Sequence, residues 1–340
     1  MPCHFARRSV GKERDMGYNK ENFKRIREEY ETKALLAQRA ADGRREELES
    51  KIPGLKELDA RLSTFGLRIM KQAMEGGDTA AAVEALREEN RKILEIRRNL
   101  LAQYGYPEDY CKPRYECEIC KDSGYDGIRM CACMRRRIVE AGMESSGLGA
   151  LMKKQSFENF SLDYYRASAA EYERMKQTLS FMKSYAEAFS TTEESPSPSL
   201  LLLGYTGLGK THLSTAVAKT VIERGYDVFY NTAVGMFSDF EVRRFGNAMA
   251  LGDADNTERY VTCDLLILDD LGTEVVNQFT QSCLYYVINS RLNLNRPTII
   301  STNLSAADLR KTYADRISSR LMGEFRPILF CGTDVRKQKL

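Results

Sequence analysis

A short glycine-rich stretch of this chain has the residue types that bind a nucleoside triphosphate. Its sequence, Gly-Tyr-Thr-Gly-Leu-Gly-Lys-Thr, fits the pattern G-x-x-x-x-G-K-S/T. The glycines, which let successive backbone N–H groups point inward at phosphate oxygens, are Gly204, Gly207 and Gly209. In this pattern Lys210 reaches the β- and γ-phosphates, and the Thr211 hydroxyl ligates Mg²⁺. The stretch therefore predicts a binding site for ATP with Mg²⁺.

The segments on either side of the glycine stretch favour that interpretation. Leu200–Leu203 is typical of a strand buried on both faces, and the residues from His212 to Arg224 have helical character. The motif needs a strand, a loop and a helix in that order, because the helix N-terminus adds partial positive charge beside the phosphates. We favour this site over the alternative of a glycine-rich turn without a ligand.

A second apolar segment ends in two carboxylates. The run from Leu265 to Leu268 is followed directly by Asp269 and Asp270. This is the Walker B arrangement, in which a buried strand projects the first carboxylate towards the Mg²⁺ shell. The second carboxylate is placed to orient or deprotonate the attacking water.

Two further polar groups are candidates for the same site. Asn303 ends a predicted strand; in P-loop ATPases with an added strand between the two motif strands, it would lie beside the γ-phosphate. The alternative is a simple N-cap for the helix from Ser305 to Thr312, a role that fits Ser305 or Asn303. Arg316 and Arg320 lie on a short basic helix, and one guanidinium could stabilise phosphoryl transfer in a neighbouring subunit. An arginine pair on a helix is also typical of an exposed face that forms salt bridges.

Four of the nine cysteines have the spacing of a metal site. A Cys-x-x-Cys knuckle and a Cys-x-Cys pair supply the ligands, which are Cys117, Cys120, Cys131 and Cys133. Zn²⁺ suits four thiolates, although an iron–sulfur cluster would use the same ligands and unliganded thiols are a third alternative. Because the pattern leaves no open coordination position, we expect a structural zinc ion.

The composition is that of a globular protein with more than one domain. A chain of 340 residues with 43% hydrophobic and 29% charged residues has room for two or three units, each with its own core. No apolar run approaches ~18 residues and the basic start lacks a hydrophobic segment, so we expect a cytoplasmic protein without a membrane span.

With only two histidines, Ser-His-Asp triads and histidine-rich metal centres are excluded as the main chemistry. The net charge of +3 is too small to indicate nucleic-acid binding by itself.

The sequence predicts five segments along the chain. We expect residues 1–18 to be disordered and residues 19–108 to form a helical domain, either a solvated bundle or a module that docks onto another protein. Residues 109–140 are the predicted four-cysteine zinc module, and residues 141–199 are a linker with an amphipathic helix. Residues 200–340 are the predicted nucleotide domain.

Four motifs together resemble the AAA+ ATPases of bacterial replication initiation. They are Gly-Tyr-Thr-Gly-Leu-Gly-Lys-Thr-His-Leu (204–213), Leu-Leu-Ile-Leu-Asp-Asp-Leu-Gly (265–272), Ser-Thr-Asn (301–303) and Asp-Arg-Ile-Ser-Ser-Arg-Leu-Met-Gly (315–323). They are most similar to the DnaC/DnaI helicase-loader family, which is related to the IstB transposition ATPases and to the initiator DnaA. The resemblance covers residues 155–340 and implies an α/β fold. The expected C-terminal AAA+ P-loop NTPase domain has a parallel sheet flanked by helices and no lid domain.

The resemblance also assigns roles to individual positions. Lys210 and Thr211 match Walker A, Asp269 and Asp270 match Walker B, Asn303 matches sensor 1, and Arg320 matches the arginine finger. Segment 234–246 falls where loaders and initiators have an extra helical element that helps to bind single-stranded DNA. Arg336 is the candidate replacement for the sensor 2 arginine of the missing lid.

The resemblance implies ATP-dependent loading of the replicative hexameric DNA helicase onto single-stranded DNA. The N-terminal helices and the zinc module would bind the helicase, and ATP-bound subunits would form a homo-oligomer. Most AAA+ enzymes have Asp-Glu where this chain has Asp269-Asp270, and the shorter carboxylate predicts slow, switch-like hydrolysis. We expect this ATPase activity to be stimulated by DNA. The alternative is an IstB-like ATPase associated with transposition.

Overall fold

The chain forms two compact units. The computed structural model describes four stretches, residues 19–74, 79–192, 194–245 and 257–338. Ile26–Met134 form one unit, called here the helical unit. Met1–Arg25 and Arg135–Leu340 form the other, called the sheet unit. The disorder expected for residues 1–18 lies outside the described residues.

Three long helices supply most of the helical unit. They are α1 (Lys20–Lys51), α2 (Leu55–Met74) and α3 (Thr79–Gln103). The break that the sequence predicts at Pro53 and Gly54 separates α1 from α2, because proline lacks an N–H and Gly54 has a φ of 83°. Helices α2 and α3 pack against each other, and the largely buried ion pair between Arg97 and Asp59 (2.6 Å) joins them.

The helical unit also contains a small apolar core and a short hairpin. Leu48, Ile52 and Leu55, around the break between α1 and α2, pack with Leu101 and Cys111. The antiparallel hairpin consists of β1 (Tyr125–Asp126) and β2 (Arg129–Met130). It lies in the sequence between the two cysteine pairs, where a turn must bring the pairs together.

A five-stranded parallel sheet organises the other unit. Its strands are β3 (Leu200–Leu203), β4 (Val228–Thr232), β5 (Leu265–Leu271), β6 (Thr298–Thr302) and β7 (Arg326–Leu329). Their order across the sheet is β4-β5-β6-β3-β7, and all neighbouring strands are parallel. Strand β6 is therefore inserted between β3 and β5, as the sequence predicts. This order brings the carboxyl ends of the three motif strands to one edge of the sheet.

Helices cover both faces of this sheet. In chain order they are α4 (Ala132–Ser145, which begins in the helical unit), α5 (Gly149–Met152), α6 (Ala169–Glu187), α7 (Lys210–Glu223), α8 (Ala233–Phe245), α9 (Arg259–Thr262), α10 (Gln278–Asn293), α11 (Ala306–Thr312), α12 (Asp315–Gly323) and α13 (Val335–Gln338). Leu200 and Leu202 of β3 face a core shared with α6 and α7. Leu201 and Leu203 face a second core with α8, α10 and α12. Both faces of β3 are buried, which explains the uninterrupted leucine run and confirms the predicted α/β fold.

None of the helices in the described stretches is long and apolar enough to cross a membrane.

A buried arginine ties α10 to the ends of two strands. Arg291 is 1% exposed, and its guanidinium donates to the carbonyls of Cys263 (2.9 Å) and Pro297 (2.6 Å), which precede β5 and β6. It also donates to the Thr298 hydroxyl at 2.9 Å. Burial lowers the pKa of Arg291. Because the guanidinium is out of contact with water, its hydrogen bonds to these oxygens replace those that it would make to water.

Replacing Arg291 with methionine should destabilise the sheet unit by about 3 kcal/mol, because the buried oxygens would lose their donor. Urea unfolding followed by circular dichroism measures this change. Arg310→Met on the exposed face of α11 is the matched control and should change stability by less than about 0.5 kcal/mol. Equal unfolding midpoints for the two variants would contradict a stabilising role of the Arg291 hydrogen bonds.

Candidate functional site

The loop between β3 and α7 needs its glycines for two reasons. Gly204, Gly207 and Gly209 have φ values of 151°, 80° and 87°, which other residues rarely adopt. A Cβ on Gly204 would lie 2.7 Å from the Phe330 carbonyl oxygen, and one on Gly207 would collide with the Asp334 carboxylate. A side chain at these positions would therefore strain the backbone, and at Gly204 and Gly207 it would also collide with neighbouring atoms.

Lys210 begins α7 and folds back into the glycine loop. Its side chain is 5% exposed, and Nζ donates to the carbonyl oxygens of Gly204 (2.5 Å) and Tyr205 (2.8 Å). Burial lowers the pKa of Lys210, while the carboxylates of Asp270 and Asp269 act to raise it. The ammonium thus lies inside the glycine loop, hydrogen-bonded to the backbone of the loop itself.

Strand β5 brings a buried carboxylate beside the start of α7. The Thr211 hydroxyl donates to Asp269 Oδ2 at 2.8 Å, and the Tyr230 hydroxyl donates to the same oxygen at 2.9 Å. The Ser301 hydroxyl donates to Oδ1, and Asp269 is only 2% exposed. The structure thus joins Thr211 to Asp269. Neither Tyr230 nor Ser301 was predicted from the sequence as a member of this site.

Asp270 points away from its neighbour because the strand is irregular there. Its φ is 54°, and the register between β5 and β6 shifts between Leu268 and Leu271. The bulge exposes the Asp270 side chain while its N–H donates to the Ser301 hydroxyl at 3.0 Å. Partial desolvation and then the Asp269 charge raise the pKa of Asp270. A left-handed non-glycine residue at a strand end is a strained position of the kind found at functional sites.

Asn303 follows β6 directly, and its side chain is exposed. The N-cap of α11 is Ser305, whose hydroxyl accepts a hydrogen bond from the Asp308 N–H at 3.1 Å. The capping role weighed for Asn303 therefore belongs to Ser305. The role of Asn303 beside the γ-phosphate stays a prediction.

The two arginines of α12 share one aromatic ring. The guanidinium groups of Arg316 and Arg320 lie 4.8 and 4.7 Å from the centroid of the Tyr285 ring. Arg320 also donates to Asn289 Oδ1 (2.8 Å) and to the Tyr285 hydroxyl (3.1 Å). Among the described residues, the hydrogen-bond partners of the Arg320 side chain lie on α10 and α12 and not in the glycine loop.

The residues after β7 pack on the glycine loop. The Val335 N–H donates to the Gly207 carbonyl at 3.0 Å, and the charge of Arg336 adds to burial in lowering the pKa of Lys210. Desolvation raises the pKa of Asp270, and the charge of Arg336 acts to lower it. Arg336, the predicted replacement for sensor 2, is therefore electrostatically coupled to the phosphate end of the site.

An aromatic segment upstream of the sheet supports the other side of the loop. The Tyr165 hydroxyl donates to the Leu208 carbonyl at 2.9 Å, and Phe160 contacts the position where Gly209 would have a Cβ. The His212 ring packs edge-on against Phe160, with centroids 5.3 Å apart. Phe160 and Tyr165, which lie in the predicted linker of residues 141–199, therefore pack on the glycine loop.

Helix α8 occupies most of the predicted DNA-binding element, whose last residue, Gly246, lies outside the described residues. Arg243 and Arg244 are both exposed. Arg243 hydrogen-bonds to Thr257, and Arg244 lies 5.3 Å from the centroid of the Phe279 ring.

The helical unit brings the four predicted cysteines together. All four Sγ atoms lie within 4.8 Å of one another. The Sγ atoms of Cys117 and Cys131 are 3.9 Å apart, and those of Cys120 and Cys133 are 3.5 Å apart. A tetrahedral ion with metal–sulfur bonds of about 2.3 Å needs sulfur–sulfur distances of about 3.8 Å. The cluster could therefore hold one metal ion.

Groups around the cysteines fix the knuckle. The buried Asp122 carboxylate accepts hydrogen bonds from the N–H groups of Cys117 (2.8 Å) and Glu116 (2.9 Å). Hydrogen bonds from the Cys120 backbone lower the pKa of Cys117, whereas burial raises the pKa of Cys120. Of these two thiols, Cys117 is therefore the more readily deprotonated, which is the form that binds a metal.

Comparison with known proteins supports a family assignment. Residues 135–322, more than half of the chain, match the family described as IstB-like ATP binding protein. The phage-like element PBSX protein XkdC of Bacillus subtilis (strain 168) is 28% identical over 245 residues, covering 68% of this chain and 86% of that protein. The replicative helicase loader DnaC of Escherichia coli (strain K12) is 26% identical over 180 residues, covering 52% of this chain and 66% of that protein.

A crystal structure of DnaI aligns with a TM-score of 0.44 and 18% identity, covering 54% of this chain and 92% of that chain. The family match spans the glycine loop and the strand that carries both carboxylates. The chain therefore belongs to the IstB-like ATP-binding proteins, which are AAA+ P-loop ATPases.

Proposed function

We propose that this protein uses ATP to load a replicative hexameric DNA helicase onto single-stranded DNA in the cytoplasm. The observation that carries this proposal is its 26% identity over 180 residues to the replicative helicase loader DnaC of Escherichia coli. The chain spans slightly less than two thirds of that relative, so the activity of the whole protein is inferred from the shared region.

The phosphates of ATP would bind in the glycine loop. Lys210, which donates to the carbonyls of Gly204 and Tyr205, would turn its ammonium to the β- and γ-phosphates. The Thr211 hydroxyl fits a Mg²⁺ ligand, because its proton is donated to Asp269 and its lone pairs are left for the ion. When bound, Mg²⁺ neutralises charge on the phosphate oxygens.

Hydrolysis would depend on exposed groups at the carboxyl ends of β5 and β6. Asp270 would accept the proton of the attacking water or orient it, and Asn303 would hydrogen-bond the γ-phosphate or the water. Aspartate is one methylene shorter than the glutamate that most AAA+ enzymes have at this position, so the base would stand further from the water. Slow hydrolysis suits a switch in which ATP binding sets the DNA-holding state and hydrolysis releases the loader.

Arg320 is the proposed arginine finger. Within the chain its guanidinium is held by Tyr285 and Asn289, a contact that limits the rotamers open to it. A finger acts on the γ-phosphate of a neighbouring subunit, which requires ATP-bound chains to assemble side by side into a homo-oligomer.

Helicase binding is assigned to the helical unit. Helices α2 and α3 expose large apolar side chains that a globular core would bury: Leu67 is 69% exposed, Met70 61% and Ile96 55%. Exposed apolar side chains of this size suit a protein partner.

We propose that helix α8 binds single-stranded DNA, because its exposed Arg243 and Arg244 would contact the phosphates.

We assign Zn²⁺ as the metal of the cysteine cluster. Four thiolates at tetrahedral spacing suit Zn²⁺, which needs no redox partner and no open position in a structural site. The ion would stabilise a segment whose described part has a hairpin of two short strands and few buried apolar side chains.

An IstB-like function in transposition is the second candidate, and the family match over residues 135–322 favours it. The two candidates differ in their protein partner, which is a hexameric helicase in one case and a transposase in the other. Co-purification distinguishes them directly.

The tagged protein should retain a replicative hexameric helicase in the presence of ATP and release it when the nucleotide is removed. Lys210→Ala should abolish this ATP dependence, because the phosphates lose their cation. Lys219→Ala, on the same helix but outside the loop, is the matched control and should behave as wild type. Retention of a transposase in place of the helicase would reject the loader proposal.

Arg320→Ala should keep the ATP affinity of the wild type and lose most of its DNA-stimulated turnover, by about 10³-fold or more if the finger acts in trans. Phosphate release with and without single-stranded DNA measures this effect. Arg316→Ala, which removes the other guanidinium from the Tyr285 ring, is the control and should retain turnover. The reverse result would transfer the finger role to Arg316.

Cys117→Ser should lose the bound metal, and the region of residues 110–135 should become sensitive to protease while ATP binding persists. Elemental analysis together with limited proteolysis measures both outcomes. Cys331→Ser changes a cysteine outside the cluster and should retain the metal. Full metal content in Cys117→Ser would remove this residue from the ligand set.

A further inference from the structure

We infer that Tyr230 is a positioning residue for Mg²⁺ binding, acting through the carboxylate of Asp269; the inference rests on the proposed nucleotide site. Neither the sequence motifs nor the comparisons assign a role to this tyrosine. Its position on β4 follows from the sheet order, which places β4 next to β5.

The hydrogen bonds of Asp269 define what Tyr230 does. Oδ2 accepts from Tyr230 at 2.9 Å and from Thr211 at 2.8 Å, while Oδ1 accepts from Ser301. A carboxylate offers about four lone-pair directions, so three donors on two oxygens leave little rotation about its terminal bond. Tyr230 and Ser301 thus hold the carboxylate from the two sides, and Thr211 is the third contact.

The contact with Thr211 is the one that bears on the ion. The Thr211 proton points at Oδ2, which leaves the hydroxyl lone pairs free for a cation on the other side. If the carboxylate rotated, the Thr211 hydroxyl would rotate with its acceptor. Groups that orient the ligands of a metal typically change its affinity without contacting it, and Tyr230 occupies that position here.

The backbone of Tyr230 is itself held in place. Its N–H donates to the Ser146 carbonyl at 2.8 Å, and a Cβ on Gly147 would lie 2.7 Å from the Tyr230 carbonyl oxygen. The segment that follows α4 therefore packs closely on β4 at this residue. A side chain anchored in this way can orient a carboxylate with little loss of conformational entropy.

The test measures nucleotide and Mg²⁺ binding without turnover. A fluorescent ATP analogue is titrated into the full-length chain in EDTA and then at increasing free Mg²⁺. In Tyr230→Phe we expect the half-saturating Mg²⁺ concentration to rise about tenfold, whereas the nucleotide affinity in EDTA stays within about twofold of wild type. Tyr226→Phe removes a hydroxyl from a ring that packs on Phe189 and Arg224, and this control should leave both values unchanged.

Each outcome has a distinct meaning. An unchanged Mg²⁺ requirement in Tyr230→Phe overturns the inference, and so does an equal loss of nucleotide in EDTA and in Mg²⁺, since that pattern reports general damage to the fold. If wild type itself binds no nucleotide under any condition, the proposed function fails and not merely the role of Tyr230.

Discussion

The nucleotide site depends on one buried carboxylate and the hydroxyls that surround it. Burying an ionised group costs several kcal/mol unless donors replace the lost water. Asp269 obtains its donors from three different elements: Thr211 from α7, Tyr230 from β4 and Ser301 from β6. These bonds require the ends of the strands and the start of α7 to lie within a few ångströms of one another. The same bonds therefore stabilise the fold and arrange the site.

The sheet order explains how residues far apart in the chain reach this point. Inserting β6 between β3 and β5 brings Ser301 beside Asp269, and the bulge in β5 then separates the two carboxylates. The Asp269 carboxylate is buried, whereas the Asp270 side chain is exposed. At the opposite ends of the strands, Arg291 joins the segments that lead into β5 and β6. Both ends of the central strands are thus held by polar side chains, between two apolar layers.

Groups on β5 and after β7 both contribute to the electrostatics of the loop. Burial and the charge of Arg336 lower the pKa of Lys210, whereas the charges of Asp270 and Asp269 act to raise it. Arg320 is held by α10, and the proposed mechanism requires it to act on another subunit. An ATPase divided in this way couples turnover to assembly, which is the property that a loader needs.

The sequence alone was sufficient for the glycine loop, the paired carboxylates and the cysteine set, because each is a local pattern whose spacing determines its geometry. The position of β6 between β3 and β5 was expected only by analogy with P-loop ATPases that have an added strand. The sequence also predicted the α/β class, since an uninterrupted leucine run such as Leu200–Leu203 is stable only when both faces are covered. Tyr230 escaped prediction because its partner Asp269 lies 39 residues away on the neighbouring strand. Arg291 escaped prediction because it joins the segments that lead into β5 and β6, which only the fold brings together. The assignment of the α11 cap to Ser305 likewise required the backbone. Long-range hydrogen bonds have no sequence period, and only the tertiary structure decides which buried oxygen a given donor meets.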